Sequence, residues 1–166
     1  ETERLMLTEA QVKQNMRTYF SQAGNIVDIK KTEAKKNSAW LGKQRYADIG
    51  RHADAFSVAD FIARDNIKRR LDSGLRVSLR ELLYPLMQGY DSVAVRADLE
   101  IGGTDQRFNM LAGRTLQEKA GQSPQAVMSL ALLPGTDGRK MSSSWGNTIN
   151  ITDAANDMYG KVMSLH

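Results

Sequence analysis

Apolar residues recur at helical spacing along most of the chain, and polar caps mark where several of these segments begin. Thr8 and Ser78 each stand three residues before a glutamine or glutamate that completes a capping box, which is typical of a helix N-terminus. Apolar side chains then follow every three or four positions, which indicates helices with one buried face. The pattern predicts helices over residues 8–24, 44–52, 57–74, 107–119 and 152–162, and a further helix that begins at Ser78.

Between these helices, three apolar runs predict extended segments. A short strand or extended segment is expected over residues 26–29, a strand over 97–101 and another over 126–133. The last run is continuously apolar, which is typical of a buried parallel strand. Because a strand, a glycine turn and a helix precede it, the order of elements predicts an α/β fold with a parallel sheet.

The helix that begins at Ser78 carries three polar side chains in line. Tyr84, Gln88 and Asp91 lie at positions i, i+4 and i+7, so they share one face of an otherwise apolar helix. At a rise of about 1.5 Å per residue this polar stripe is roughly 10 Å long, about the length of one amino-acid ligand. The alternative is a solvated polar face on a surface helix.

Two further segments carry groups suited to a phosphate-containing ligand. Gly102 and Gly103 lie between a predicted strand and a helix, where backbone approaches a ligand closely and free N–H groups attract anions. Downstream, residues 134–147 form a polar loop that contains Lys140. Each feature alone fits an ordinary connection equally well. Combined with the polar stripe, they indicate a ligand site at the carboxyl ends of the strands.

Composition narrows the choices only slightly. The 166 residues suit one domain with a sizeable core, and no apolar run reaches the length of a membrane span. No signal-peptide pattern is visible, cysteine is absent, and the two histidines are too far apart to favour a metal site. The net charge of +4 permits a nucleic-acid partner. Neither end looks like a natural terminus, so we expect a fragment of a longer protein.

Three motifs, in order along the chain, resemble those of the class I aminoacyl-tRNA synthetases, and among these the tyrosyl-tRNA synthetases. Tyr84, Gln88 and Asp91 match the amino-acid-binding helix of that family in type and spacing. The sequence GGTDQ at 102–106 resembles its ribose-binding segment, and KMSSS at 140–144 resembles the signature loop usually written KMSKS. Each motif alone is moderate evidence, but the three in order are highly specific.

This resemblance implies an α/β fold with a partial Rossmann-like parallel sheet and a helical connecting insertion. Residues 1–77 would form the helical connecting and dimerisation region. Residues 78–166 would form the second half of the nucleotide-binding catalytic domain, with the signature loop at 138–146. The implied partners are L-tyrosine, ATP and tRNA(Tyr), in a cytoplasmic homodimer without a membrane association.

For the parent enzyme, the resemblance implies ATP-dependent formation of tyrosyl-adenylate, followed by transfer of the tyrosyl group to tRNA. ATP would be a substrate, with Mg²⁺ accompanying it, and neither a prosthetic group nor a protein-bound metal is implied. The residues implied to bind tyrosine are Tyr84, Gln88, Asp91 and Gln106. Those implied to bind ATP are Gly103, Asp105, Leu132, Leu133 and Lys140, and the catalytic residues would be Lys140, Ser143 and Ser144.

Two departures from the family pattern bear on activity. Ser143 stands where the signature has its second lysine, so phosphate stabilisation would rest on Lys140, with Arg139 as a possible second cation. The HIGH-type motif of the family is absent from these 166 residues, and we therefore expect the isolated chain to be inactive. The alternatives are a tryptophanyl-tRNA synthetase, a non-catalytic dimerisation module that uses residues 57–86, and an unrelated nucleotide-binding α/β domain.

Overall fold

The computed structural model describes residues 6–142 and 145–165, so Ser143 and Ser144 lie outside the described residues. Two strands and nine α-helices follow one another in the described part of the chain. The first six helices are α1 (Glu9–Met16), α2 (Tyr19–Ala23), α3 (Ser38–Leu41), α4 (Tyr46–Ala53), α5 (Val58–Ile62) and α6 (Asp65–Asp72). They are followed by α7 (Leu79–Val95), β1 (Leu99–Gly103), α8 (Arg107–Lys119), β2 (Ala126–Leu130) and α9 (Ala155–Met163). Short 3₁₀ turns span Ile29–Lys31 and Thr104–Gln106.

The chain divides into two compact units. The central unit comprises Lys36–Leu132, and the terminal unit comprises Glu1–Lys35 together with Leu133–His166. The boundary predicted between residues 77 and 78 falls within the central unit and remains a prediction about functional regions. No described helix is both long enough and apolar enough to cross a bilayer.

The capping boxes predicted from the sequence are confirmed. Thr8 accepts a hydrogen bond from the backbone N–H of Gln11 at 3.3 Å and begins α1. Ser78 does the same for Glu81 at 3.4 Å and begins α7, the longest described helix. Each third residue also bonds back to the backbone N–H of its cap, so two otherwise unpaired donors are satisfied at each helix start.

Several predicted boundaries were wrong. The helix expected over 8–24 is interrupted at residues 17–18, and the helix expected over 57–74 is interrupted at residues 63–64. In the second case Arg64 has extended backbone, and its guanidinium lies 5.0 Å from the ring centroid of Phe108 while its Nε donates to the carbonyl of Phe61. The long-range contact with Phe108, together with the local hydrogen bond to Phe61, competes with continuation of the helix.

Two further predictions fail for local reasons. No strand forms over residues 26–29, because the Asp28 carboxylate accepts from the backbone N–H of Lys30 at 3.0 Å and favours a 3₁₀ turn. The last helix begins after Ala154 rather than at Thr152. There, the Asp153 carboxylate instead accepts from the backbone N–H of Asn150 at 2.9 Å and so closes the turn before the helix.

In the central unit, β1 and β2 are parallel, with Leu99 opposite Ala126 and Gly103 opposite Leu130. Helix α8 connects them, as the predicted strand–turn–helix order requires. The strand β2 ends at Leu130 and is mostly exposed, so the prediction of a buried strand reaching residue 133 was wrong for the described residues. A continuous apolar run predicts burial on both faces, whereas the two-stranded described sheet leaves Met128 and Leu130 about half exposed.

The core of the central unit lies between α7 and α8, where glycines allow the helices to approach closely. A Cβ at Gly89 would lie 3.0 Å from the backbone of Ala112, and one at Gly113 would lie 2.5 Å from Ser92 Oγ. The buried apolar side chains of this unit are Phe61, Ile67, Pro85, Leu86, Met110, Ala112 and Leu116. This close packing holds the polar stripe of α7 at a fixed distance from α8.

Two glutamine side chains donate hydrogen bonds to backbone carbonyls at the carboxyl end of α7 and just beyond it. Gln117 Nε2 donates to the carbonyl of Ala97 at 2.9 Å, and Gln122 Nε2 donates to the carbonyl of Val93 at 3.1 Å. Arg96 ends the helix with a left-handed backbone, φ 57°, which is unusual for a residue other than glycine. Because Gln117 belongs to α8 and Gln122 follows it, these bonds tie the end of α7 and the residue Ala97 beyond it to α8.

Candidate active site

The three polar residues predicted to form a stripe lie within α7, as the sequence indicated. Tyr84 is 56% exposed, whereas Gln88 and Asp91 are half-buried. Buried Pro85 and Leu86 follow Tyr84 and direct the apolar part of the helix into the core. The stripe therefore runs from an accessible phenol to a carboxylate that is partly withdrawn from water.

Asp91 is held by two residues that the sequence analysis did not select. Trp40 Nε1 donates to Asp91 Oδ1 at 2.7 Å, and Asn37 Nδ2 donates to Oδ2 at 3.4 Å. Burial raises the pKa of the Asp91 carboxyl, and the two hydrogen bonds oppose that rise. A tryptophan indole N–H generally needs a hydrogen-bond acceptor when it is partly buried, and this need was the available signal for Trp40.

Gln88 and Gln106, which were predicted to bind the same amino acid, are joined through a third side chain. Asn109 Nδ2 lies 3.1 Å from Gln88 Oε1 and 3.0 Å from Gln106 Oε1. Asn109 itself is buried, in the first turn of α8. The structure thus brings these two predicted residues to one place, and it adds Asn109, which the sequence analysis missed.

Another residue that the sequence analysis missed is Glu100 of β1, whose carboxylate is half-buried. Its Oε1 accepts from Gln88 Nε2 at 3.1 Å, and its Oε2 accepts from Ser92 Oγ at 3.2 Å and from Gln125 Nε2 at 2.5 Å. Gln125 is fully buried, and its backbone N–H donates to Gln117 Oε1 at 2.8 Å. A charged residue within an apolar strand was the available signal, since such a group requires buried partners.

The carboxyl end of β1 places three of the predicted ATP-binding residues together. A Cβ on Gly103 would lie 2.7 Å from Asp105 Oδ1 and 2.7 Å from Leu132 Cδ2, so the position has no room for a side chain. Asp105 lies in the 3₁₀ turn that leads into α8. This arrangement presents backbone, one exposed carboxylate and an apolar side chain at the N-terminal end of a 13-residue helix.

The predicted signature loop, which belongs to the terminal unit, is organised around a buried asparagine. Asn147 Nδ2 donates to Asp137 Oδ1 at 2.8 Å and to the carbonyl of Lys140 at 3.2 Å. Its Oδ1 accepts from the backbone N–H of Ser142 at 2.8 Å. Lys140 is exposed and pairs with Pro134 in an antiparallel bridge. Asn147 was not predicted, although the polar loop that contains it was.

Arg139, the possible second cation, is held within the same loop. Its Nη2 donates to Asp137 Oδ2 at 2.6 Å, and its guanidinium lies 4.7 Å from the ring centroid of Trp145. The hydrogen bonds from Asn147 and Arg139 lower the pKa of the Asp137 carboxyl to about 2. Leu133, another predicted residue of this unit, is 67% exposed.

Comparison with known proteins gives the family of the chain. The family model described as "tRNA synthetases class I (W and Y)" matches residues 1–166. A tyrosine–tRNA ligase of Thermotoga maritima is 47% identical over 163 residues, which are 98% of this chain and 41% of that protein. One from Desulfotalea psychrophila is 50% identical over 163 residues, 98% of this chain and 40% of that protein.

Solved structures agree with the sequence relatives. A tyrosyl-tRNA synthetase from Archaeoglobus fulgidus, in complex with L-tyrosine, has a TM-score of 0.69 at 25% identity and covers 95% of this chain. This chain corresponds to 48% of that one. A tryptophanyl-tRNA synthetase from Aeropyrum pernix has a TM-score of 0.65 at 22% identity over 96% of this chain, 45% of its own, and shows the shared fold alone.

These comparisons confirm two predictions. The fold is the partial Rossmann-like α/β fold expected from the motifs, and the resemblance to tyrosyl-tRNA synthetases holds across almost the whole chain. The chain spans about 40% of the length of the curated relatives that it matches. On this evidence the chain belongs to the class I tRNA synthetases of the tryptophan and tyrosine group.

Proposed function

We propose that this chain is the part of a tyrosine–tRNA ligase that recognises tyrosine and ATP, and that the full-length protein forms tyrosyl-adenylate and charges tRNA(Tyr). The observation that carries this proposal is the Asp91 carboxylate, half-buried and held by Trp40 and Asn37 at the inner end of the polar stripe. A fixed acceptor at that depth suits a phenolic hydroxyl. An indole N–H also donates to a carboxylate, as that of Trp40 does, so we prefer tyrosine to tryptophan because the sequence relatives are tyrosine–tRNA ligases.

The stripe and its neighbours suit the rest of the amino acid. Tyr84 and Gln88 would hold the ammonium group, because each carries an oxygen atom that accepts hydrogen bonds. Both residues lie nearer than Asp91 to the start of α7. Gln106 would donate to the carboxylate, and its link to Gln88 through Asn109 supports a shared subsite. These assignments use the residues that the motif predicted, together with the hydrogen bonds that connect them.

The nucleotide would lie at the end of β1. The exposed Asp105 carboxylate and the Gly103 backbone would bind the ribose, with Leu132 and Leu133 lining the adenine pocket. Lys140 would meet the pyrophosphate as negative charge develops, assisted by Ser143 and Ser144. Mg²⁺ would arrive with ATP as part of the substrate.

The chemistry needs no protein nucleophile. The carboxylate oxygen of tyrosine attacks the α-phosphorus of ATP, a new phosphorus–oxygen bond forms, and pyrophosphate leaves. The protein contributes by orienting the reactants and by stabilising charge. In a second step the terminal ribose hydroxyl of the tRNA attacks the tyrosyl carbonyl and AMP leaves. We expect the 166-residue chain alone to be inactive, as its missing HIGH-type motif implies.

We also propose that the protein acts as a homodimer in the cytoplasm, where charged tRNA is used for translation. The support is a set of exposed apolar side chains between α5 and the start of α7, in the region predicted for dimerisation. Their members are Val58, Ile62, Leu71, Leu75 and Leu79, all at least 39% exposed. Sedimentation of the full-length protein over a range of concentrations tests this part, and a monomer throughout would contradict it.

The main test is the amino-acid selectivity of the full-length protein. In ATP–pyrophosphate exchange we expect activity with tyrosine and none with tryptophan. Asp91→Asn should reduce the ratio of kcat/KM for tyrosine over phenylalanine by about 100-fold, because a hydrogen bond to a charged acceptor is lost. Asp98→Asn, which removes the same charge at an exposed position, is the matched control. An unchanged ratio in Asp91→Asn would remove Asp91 from this role.

A further inference from the structure

Four side chains of the central unit form a hydrogen-bonded line that runs from a charge to the proposed amino-acid subsite. In order they are Glu100, Gln88, Asn109 and Gln106, joined at 3.1, 3.1 and 3.0 Å. Three of them carry amide groups, each with an oxygen that accepts and an NH₂ that donates. Rotation of an amide by half a turn exchanges these two ends, so its orientation must be set by something outside the amide.

Glu100 supplies that reference at one end of the line. An ionised carboxylate only accepts hydrogen bonds, and three donors converge on this one, from Gln88, Ser92 and Gln125. The Gln88 amide must therefore direct its NH₂ toward Glu100 and its oxygen the other way. The reversed amide would bring two oxygens with partial or full negative charge together in a partly buried position, which is costly.

The orientation then passes along the line. Because Gln88 Oε1 can only accept, Asn109 must direct its Nδ2 toward it. The same Nδ2 group lies against Gln106 Oε1, so Gln106 must direct its own NH₂ elsewhere. The two glutamines are thereby given opposite polarity: the oxygen side of Gln88 suits an ammonium group, and the NH₂ side of Gln106 suits a carboxylate.

We propose that Glu100 and Asn109 are positioning residues for amino-acid binding, which set the amide orientations of Gln88 and Gln106 so that the site distinguishes the ammonium end of its ligand from the carboxylate end. This inference rests on the proposed function, because it takes tyrosine as the ligand. It assigns a role to two residues that would not themselves touch the amino acid. Glu100 acts through Gln88, and Asn109 acts mainly through Gln106.

Two analogues of tyrosine separate the two ends of the ligand. Tyramine keeps the ammonium group and lacks the carboxylate, and 3-(4-hydroxyphenyl)propionate keeps the carboxylate and lacks the ammonium group. Calorimetric titration of the full-length protein with tyrosine and with each analogue measures the Kd values. The variants are Glu100→Gln, which removes the acceptor-only reference at constant shape, and Asn109→Asp, which replaces the shared donor by an acceptor.

We expect Glu100→Gln to weaken tyramine binding by about tenfold, because Gln88 is then free to turn its NH₂ toward the ammonium group. Asn109→Asp should weaken 3-(4-hydroxyphenyl)propionate by about tenfold, because Gln106 then turns its NH₂ toward the new carboxylate. In Asn109→Asp, the Kd for tyramine should change by about threefold or less, since Glu100 still holds Gln88 and the added negative charge does not repel an ammonium group. A merely structural role would weaken both analogues equally, in step with the loss of thermal stability.

Glu118→Gln is the matched control, because it removes one negative charge at an exposed position of α8. It should leave all three Kd values within about twofold. If wild-type protein binds none of the ligands, the proposed function itself fails. If wild-type protein binds them and either folded variant affects the two analogues equally or not at all, this inference is overturned. Should Glu100→Gln not fold, the split between analogues in Asn109→Asp decides alone.

Discussion

The proposed tyrosine subsite and the predicted signature loop differ in how far apart in sequence the partners of their side-chain hydrogen bonds lie. In the central unit, Asp91 is fixed by Trp40 across 51 positions of sequence, and Gln125 reaches Glu100 across 25. In the terminal unit, Asn147 reaches Asp137 across 10 positions and Ser142 across five. The first set of bonds requires the packed helices and strands, whereas the second set can form within one short segment.

From this difference we expect the central unit to serve ligand recognition and the loop of the terminal unit to serve the reaction step. Recognition of an amino acid needs several groups at fixed separations, and long-range bonds between packed elements provide that rigidity. A loop stabilised by its own side chains can keep its local shape without such contacts. We therefore expect changes in the central unit to alter ligand binding and stability, and changes in the loop to alter the reaction step.

The largest expected effect concerns Lys140. Lys140→Ala in the full-length protein should lower kcat for pyrophosphate exchange by about 100- to 1,000-fold, because it removes a charge that would stabilise the departing pyrophosphate. The Kd for tyrosine should change by about twofold or less. Lys13→Ala, on the exposed helix α1, is the control. A large rise in the tyrosine Kd of Lys140→Ala would contradict the separation between recognition and reaction.

Two glycines compare a closely packed position inside the central unit with an open position in helix α9 of the terminal unit. Gly113→Ala should lower the free energy of unfolding by about 1–3 kcal/mol, because the new methyl group would lie 2.5 Å from Ser92 Oγ and 2.8 Å from Gln125 Nε2. Gly160→Ala in α9 meets nothing within 4 Å and should raise it by up to about 1 kcal/mol through helix propensity. Thermal and denaturant unfolding measure both changes. Equal changes in the free energy of unfolding of the two variants would contradict the difference in packing between the two positions.

Trp40→Phe tests whether Asp91 recognises the phenolic hydroxyl of tyrosine. It removes the indole N–H that lies 2.7 Å from the carboxylate, and it keeps an aromatic ring. The preference for tyrosine over phenylalanine in pyrophosphate exchange should fall by about tenfold, because the carboxylate is no longer fixed in orientation. Trp145→Phe, in the signature loop, should leave that preference unchanged. A loss of activity with both amino acids alike would instead indicate a packing role for Trp40.

The smallest expected effect is a pH dependence within the terminal unit. Hydrogen bonds from Lys161 and Asn150 lower the pKa of the Asp153 carboxyl to about 2, with Lys161 Nζ at 2.7 Å. A depressed acid pKa stabilises the fold above pH 3.8, the ordinary value, and that stabilisation is lost as pH falls toward about 2. Asp153→Asn should therefore destabilise the protein at pH 7 and have less effect near pH 2.

Denaturant unfolding at several pH values measures this difference directly. Asp157→Asn, in the first turn of α9, is the comparison variant, because it removes one negative charge and leaves the Asp153–Lys161 pair intact. A gap between wild type and Asp153→Asn that stayed constant from pH 7 to pH 2 would contradict the role of the Asp153–Lys161 ion pair.

Local rules of sequence were sufficient at the starts of α1 and α7, but not at residues 26–29 and 150–153, where a competing local side-chain hydrogen bond decided the structure. The capping boxes at Thr8 and Ser78 and the spacing of the polar stripe were predicted, because each depends on residues a few positions apart. Gly102 and Gly103 were expected in a turn after the strand, whereas they are the last two residues of β1. The family resemblance was likewise carried by three short motifs. The predicted roles of the site residues remain predictions, since they depend on ligands.

Only the tertiary structure decided which groups support those residues. The contact of Arg64 with Phe108, at the break between α5 and α6, joins positions far apart in sequence. The same is true of the hydrogen bonds from Trp40 and Asn37 to Asp91. It is also true of the bonds that join Gln88 to Glu100 and to Asn109. Propensity and periodicity carry no information about such pairs, because many partners would satisfy the same polar group. The sequence by itself determined where the candidate binding groups stand on their elements. Packing of α3, α7, α8 and β1 determined how those groups are oriented.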